Sequence, residues 1–188
     1  MSTLSVVIPH GYGPGKDEVL QRCIDSIKGE YDELIIVGND KGICWANNVG
    51  IAATSCEYVL TMNDDATLER GHLRDLIRGD FVTHPTFDGI AQQFGSGICY
   101  PRWVLEALGP KPYDEGFEHG YFEDDDIFRR LPVPRRVVAE VNFAHPDPGH
   151  TLHMRPDWTE VFQRNKAYFE SKHGLWSPLA PPLILDSM

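Results

Sequence analysis

The chain is 188 residues long, carries 41% hydrophobic and 24% charged residues, and has a formal net charge of −11. That size suits one domain with a core of its own, and no apolar run approaches the roughly 18 residues needed to span a membrane. The acid excess opposes generic adhesion to nucleic acid or anionic lipid and leaves room for a divalent cation. The start MSTLSVVIP lacks the basic opening and long apolar centre of a secretory leader, so a cytoplasmic location is expected.

The first predicted element is the strand SVVIP, closed by Pro9 and followed by HGYGPG, whose glycines and proline cannot continue strand or helix. From Lys16 to Lys28, Val19, Leu20, Cys23, Ile24 and Ile27 recur at helical spacing. DELIIVGND is a second strand running into a Gly/Asn/Asp loop, and strand, helix and strand in this order predict a right-handed parallel crossover. A second helix is predicted over Trp45 to Ala53 and a third strand at YVLTM. Ligands of an open parallel sheet gather beyond the carboxyl ends of its strands, and the loops after all three strands leave from that edge.

A helix is predicted around Leu68 to Arg78, while Gly79 to Cys99 shows no clear period. PRWVLEALG reads as a helix ending at Gly109, and YDEGFEHGYFEDDDIFRRL passes from an acidic loop into a short helix with Ile127, Phe128 and Leu131 inward. RRVVAEVNFAH alternates as a strand, and TEVFQRNKAYFESKHG is an amphipathic helix stopping at Gly174. The tail SPLAPPLILDSM is either an extended arm packed on the body or a contact to a second copy, which would make a homodimer through the tail. Cys23, Cys44, Cys56 and Cys99 form no C-x-x-C pair and are expected to be reduced and packed. No repeat or linker divides the chain.

Three clusters could carry chemistry. Asp64 and Asp65 follow directly on an apolar strand, which fixes their backbone, and adjacent residues on extended chain point opposite ways. One acid could face a sugar while the other meets a metal; the alternative is an Asn/Asp turn capping the next element. EDDD, residues 123 to 126, is a run of mutually repelling acids that must be solvated, paired with Arg129 or Arg130, or gathered near a cation. It could equally be an acidic first turn complementing a helix dipole. His145, His150 and His153 lie in HPDPGHTLH, where the prolines and glycine exclude a helical H-x-x-x-H metal motif. The spacing of a nucleotide-hydrolase phosphate loop is not met, because Gly15-Lys16 is followed by Asp17.

Taken in order, SVVIP, CIDSI, DELIIVGND, GICWANNVGI, YVLTMNDDAT, GSGICYPR, YDEGF, YFEDDDIFRRL and RNKAYFESKHG resemble the pattern of glycosyltransferase family 2, of the small rhamnosyltransferase-like kind. The resemblance runs from residue 4 to about 174 and implies an α/β GT-A fold: a Rossmann-like nucleotide-binding half over 1–78, an acceptor half over 79–153, and a C-terminal helix and tail over 154–188. It implies inverting, metal-dependent transfer of a single hexosyl or deoxyhexosyl unit from a UDP, dTDP or GDP sugar to the hydroxyl of a glycan, lipid-linked sugar, protein or modified base. It further implies Asp65 as ligand to Mn2+ or Mg2+ with His145 first among the three histidines, and Asp64 as a sugar or ribose contact. Asp124 becomes the base, with Glu123 beside it. Pro9, His10, Gly11 and Tyr12 match the loop at the nucleotide base, with Tyr12 or Trp45 available to stack on it; Asn48 and Gly50 match an N-x-G helix start, and the resemblance counts Asn39, Asp40 and Asn48 among the nucleotide-sugar contacts.

The chain departs from the family where an acid usually follows the second strand: Gly38 stands there, followed by Asn39 and Asp40. The span from Asp65 to Gly97 is short, and the Q-x-x-R-W motif of processive synthases is absent. A sugar nucleotidyltransferase would show a G-x-G-T-R-type loop after the first strand, which HGYGPG is not. A non-catalytic nucleotide-sugar-binding protein could do without the acidic run, which is intact.

Overall fold

β1 (Leu4–Gly11) lies between β2 (Glu33–Asn39) and β3 (Tyr58–Thr61), parallel to both. The crossovers are α1 (Lys16–Ser26) and α2 (Ile43–Ala53), as the alternation of apolar runs requires. The computed structural model describes residues 2–13, 15–91, 96–145, 156–177 and 183–185. Asn48 and Gly50 fall inside α2, which starts at Ile43, and not at a helix start. Gly50 is needed where it stands, since a Cβ there would lie 2.2 Å from Val7 Cγ1. Its absence lets α2 settle onto β1.

Beyond β3 the sheet turns mixed. β6 (Ile98–Pro101) pairs antiparallel with β3, β5 (Val82–Phe87) antiparallel with β6, and β7 (Arg135–Ala144) parallel with β5. The far edge is split between two short strands: β4 (Thr67–Arg70) pairs with residues 142–144 of β7, and β8 (Leu183–Leu185) with residues 136–138. The order is β2-β1-β3-β6-β5-β7-β4, with β8 on β7. Residues 183–185 thus form an arm on the body. Three helices complete the described elements: α3 (Arg102–Leu108), α4 (Glu123–Arg130) and α5 (Trp158–His173), the last ending at Gly174 as expected.

The helix expected around Leu68 to Arg78 does not form; β4 and a 3-10 turn, Leu73–Leu76, stand in its place. The break is at Gly71, whose φ is +80° and where a Cβ would come within 2.6 Å of the Glu140 carbonyl oxygen. The chain must double back against β7 there, which a continuous helix cannot do. Both faces of the sheet are covered. Leu4, Val6, Ile8, Leu60, Met62 and Phe143 are buried on one side. Val7, Ile98, Tyr100, Phe122, Phe128 and Phe169 are buried on the other. This two-sided burial is why β1 and β3 read as apolar runs without alternation. The four cysteines are buried and unpaired.

Candidate active site

The strand-end acids are both buried, Asp64 with 7% and Asp65 with 8% of its surface exposed. Asp64 is well supplied with partners: its Oδ2 is 2.9 Å from His10 Nδ1, and its Oδ1 is 4.0 Å from Lys16 Nζ. His10 in turn reaches Asp17 through Nε2, at 3.2 Å. Asp65 differs. Its Oδ1 is buried without a hydrogen-bond partner and faces His145 Nε2 at 3.5 Å. Burial raises the Asp65 carboxyl above its usual range, His145 and Lys16 opposing and Asp64 adding to the shift.

The pairing of β4 with β7 brings these two side chains together. Thr67 lies opposite Ala144 in an antiparallel register, so the residues just before Thr67 and just after Ala144 meet. His145 is also held by Ser96 Oγ at 3.3 Å and by the ring of Phe87, 4.8 Å between centroids. An orphaned buried carboxylate oxygen costs about 1–3 kcal/mol. The 3.5 Å gap is too long for a hydrogen bond, and carboxylate plus imidazole is a donor set that suits Mn2+ or a similar divalent cation. No third His, Cys, Asp or Glu completes a ligand group among the described residues. His150 and His153 lie outside those residues.

The expected nucleotide loop sits at the ends of β1 and β2. Pro9 is in the strand, paired with Val37, and Gly11 with Asn39. Tyr12 is 72% exposed, and a Cβ on Gly38 would lie 2.6 Å from its hydroxyl. Gly38 therefore makes room for the phenol at the position where an acid was expected. Asp40 is exposed beyond the strand, and Asn39 is placed by its backbone alone. Trp45 is half-buried on the first turn of α2, with Lys41 Nζ 4.7 Å from its ring centroid. Asn48 is turned inward: its amide donates to the Tyr113 carbonyl and Glu115, and its oxygen accepts from the Tyr113 N–H.

The acidic run opens α4, and its members have separate surroundings. Glu123 Oε2 is buried without a partner, and burial together with the Asp124 carboxylate pushes Glu123 up to about 8. Asp124 accepts the Asp125 N–H at 2.8 Å. Asp125 accepts from the Trp176 indole at 2.8 Å. Asp126 is fully buried among Arg130, Lys172 and His173. Its burial alone would raise its carboxyl, but hydrogen bonds from Lys172 and His173 and the charge of Arg130 hold it below the usual range. The loop before α4 lies against the start of α2, where a Cβ on Gly42 would be 3.1 Å from the His119 nitrogen. Hydroxyls of Tyr100, Tyr113 and Thr61 form a buried chain from β6 to β3 at 3.0 Å per link. The Asp124 charge acts on its Tyr100 end.

That loop has three residues other than glycine in left-handed backbone, His119, Tyr121 and Phe122, with φ of 59°, 69° and 67°. Asn165 on α5, only 1% exposed, holds it. Its amide nitrogen donates to the carbonyls of Glu118, Gly120 and Tyr121, and its oxygen accepts the Glu118 N–H at 2.9 Å. Sequence reasoning missed Asn165, an ordinary polar residue in an amphipathic helix. It also missed Lys16, whose only signal was the unmatched phosphate-loop spacing.

No protein-family model matches the chain, and no curated protein matches it. Solved structures do. Glucosyl-3-phosphoglycerate synthase from Mycobacterium tuberculosis, in complex with Mn2+, UDP-glucose and glycerol 3-phosphate, aligns with a TM-score of 0.59 at 19% identity, covering 94% of this chain and 82% of that one. Its complex with Mn2+, UDP and glucosyl-3-phosphoglycerate gives 0.58 at 17% identity, over 94% and 81%. The complex with Mg2+ and UDP gives 0.54 at 17%, over the same shares. The likeness extends over nearly the whole chain, and the chain has the GT-A fold.

Proposed function

We propose that the chain is a glycosyltransferase that moves a single sugar, with inversion, from a nucleoside-diphosphate sugar to an acceptor hydroxyl, using Mn2+ or Mg2+. The observation that carries this reading is the orphaned, buried Asp65 Oδ1 facing His145 at the strand edge of a GT-A sheet. The synthase that shares this fold is bound to UDP, UDP-glucose and Mn2+ or Mg2+ in its structures. Asp65 and His145 would hold the cation, which when bound neutralises charge on the departing diphosphate. Residues 1–78 contribute the donor side, with Pro9, His10, Gly11, Tyr12, Asn39, Asp40 and Trp45 around the nucleoside and Asp64 toward the sugar or ribose. Asn48, its amide engaged with Tyr113 and Glu115, joins α2 to the acceptor side. Residues 79–153 supply that side, and α5, within the C-terminal segment 154–188, braces it through Asn165.

Asp124 takes the proton of the attacking hydroxyl, and Glu123 beside it stays protonated at neutral pH because of its burial. The order of sequence motifs supports a small rhamnosyltransferase-like member of family 2, with a hexosyl or deoxyhexosyl donor on UDP, dTDP or GDP. The acceptor is a glycan, lipid-linked sugar, protein or modified base, met in the cytoplasm.

Calorimetry with UDP, dTDP and GDP, each with Mn2+ and with chelator, tests the donor site. Binding that is equal in both conditions, or unchanged in Asp65→Ala, would remove the metal. Asp124→Asn keeps the size of the side chain but cannot take a proton. Transfer should fall about 100-fold or more with donor affinity preserved, and transfer within a fewfold of wild type would reject Asp124 as the base.

A further inference from the structure

Lys16 is the first residue of α1 and is only 5% exposed, an unusual place for a cation. A helix N-terminus carries positive partial charge and is ordinarily matched by an anion. The neighbouring acids in that turn, Asp17 and Glu18, are exposed. Gly15, with φ of +74°, makes the left-handed turn ahead of Lys16. A Cβ on Gly13 would lie 3.7 Å from Lys16 Cγ, so the loop packs along the lysine stem. The ammonium ends 4.0 Å from Asp64 Oδ1 and its charge also acts on Asp65. Asp64 already has His10 at 2.9 Å on its other oxygen. The 4.0 Å separation is an ion pair without a hydrogen bond.

We infer that Lys16 is a donor-diphosphate ligand: its ammonium neutralises Asp64 while the donor site is empty and moves onto the diphosphate oxygens when a nucleotide sugar enters. The inference rests on the nucleotide-sugar reading of the site. Charge bookkeeping supports it. Asp64, Asp65 and Lys16 together leave one net negative charge, which draws in a divalent cation. With the cation bound the site is net positive, as an incoming diphosphate requires. Without Lys16 the loaded site would be neutral. A lysine on a four-carbon stem suits the exchange, because it binds as a point charge with donors that can rotate from one oxygen to another.

A diphosphate ligand and a permanent counter-ion of Asp64 differ in what removal of the charge does. Lys16→Gln and Lys16→Met, the latter keeping the packed stem, should weaken UDP and pyrophosphate binding in Mn2+ by about 10- to 100-fold. Uridine affinity should be unchanged. Mn2+ alone, followed by electron paramagnetic resonance, should bind the variants more tightly than wild type, because the two acids lose their competing cation. Opposite signs for the metal and for the diphosphate cannot come from misfolding, which would weaken both. Wild type that binds UDP and pyrophosphate, with variants that bind them within twofold of it, overturns the inference alone. Wild type that binds neither removes the nucleotide-sugar reading and the inference with it. Should both variants fail to fold, pyrophosphate with Mn2+ must protect Lys16 of the wild-type protein from acetylation, read by mass spectrometry; absence of protection overturns the inference.

Discussion

Burial sorts the acids of α4 into opposite electrostatic roles within a single turn. Glu123 is lifted from 4.5 to about 8 by burial, with Asp124 adding to the shift. Between those values the folded chain keeps a proton that the unfolded chain releases, so stability falls as pH rises through that window. Glu123→Gln removes the penalty. It should melt a few degrees above wild type at about pH 8.5 and level with it near pH 4.5; a gain of equal size at both would assign the effect to packing. Asp126 is the reverse case. Its carboxyl is held low by Lys172, His173 and Arg130 against its own burial, so its contribution is present above 3.8 and is lost as pH falls through the folded value. Asp126→Asn leaves Lys172 and Arg130 without their carboxylate and should cost about 3 kcal/mol at neutral pH, shrinking in acid. Nothing in the letters EDDD separates these fates: Arg130 is on the same helix, but Lys172 and His173 come from α5, and Glu123 is set by a burial that only the folded chain supplies.

Helix α4 is positioned by what precedes it. Left-handed backbone at His119, Tyr121 and Phe122 costs on the order of 1 kcal/mol per residue, and the loop persists because Asn165 satisfies its carbonyls and Phe122 packs between Phe162, Phe169 and Trp176. Asn165→Ala should lower the melting point and reduce transfer more than it reduces UDP binding, since the nucleoside loops lie on other elements. Asn165→Asp is the sharper variant. It keeps the acceptor for the Glu118 N–H but turns an oxygen toward three carbonyl oxygens, so it should be at least as damaging as alanine; recovery of wild-type transfer in the aspartate variant would refute the clamp. At this scale the sequence was legible for all five described helices, whose apolar spacing survives in the structure, with Gly109 and Gly174 closing α3 and α5. It was illegible for β4, where Leu68, Leu73 and Leu76 mimic a helical period across Gly71. Close approach to β7 at that glycine, a long-range contact, overrode the local signal.

The whole molecule is a parallel half that the alternation of strands and helices foretold, joined to a mixed half that depends on β7. That strand pairs with β5 along one side and with β4 and β8 on the other, so it cannot be placed before most of the sheet exists. The same dependence explains why His145 could be singled out from sequence only through resemblance: its distance to Asp65 is set by the register of Thr67 on Ala144. Those residues are 77 apart in sequence, and closing so long a loop carries an entropic cost that must be met before the contact returns any free energy. The carboxylate and imidazole should therefore come together late, after the transition state for folding. A cation that requires both can recognise the finished sheet but not the forming one. Saturating Mn2+ should slow unfolding, leave the refolding rate unchanged, and so bend only one arm of the chevron. Faster refolding with Mn2+ would show instead that β4 and β7 meet early and that the metal helps to draw them together.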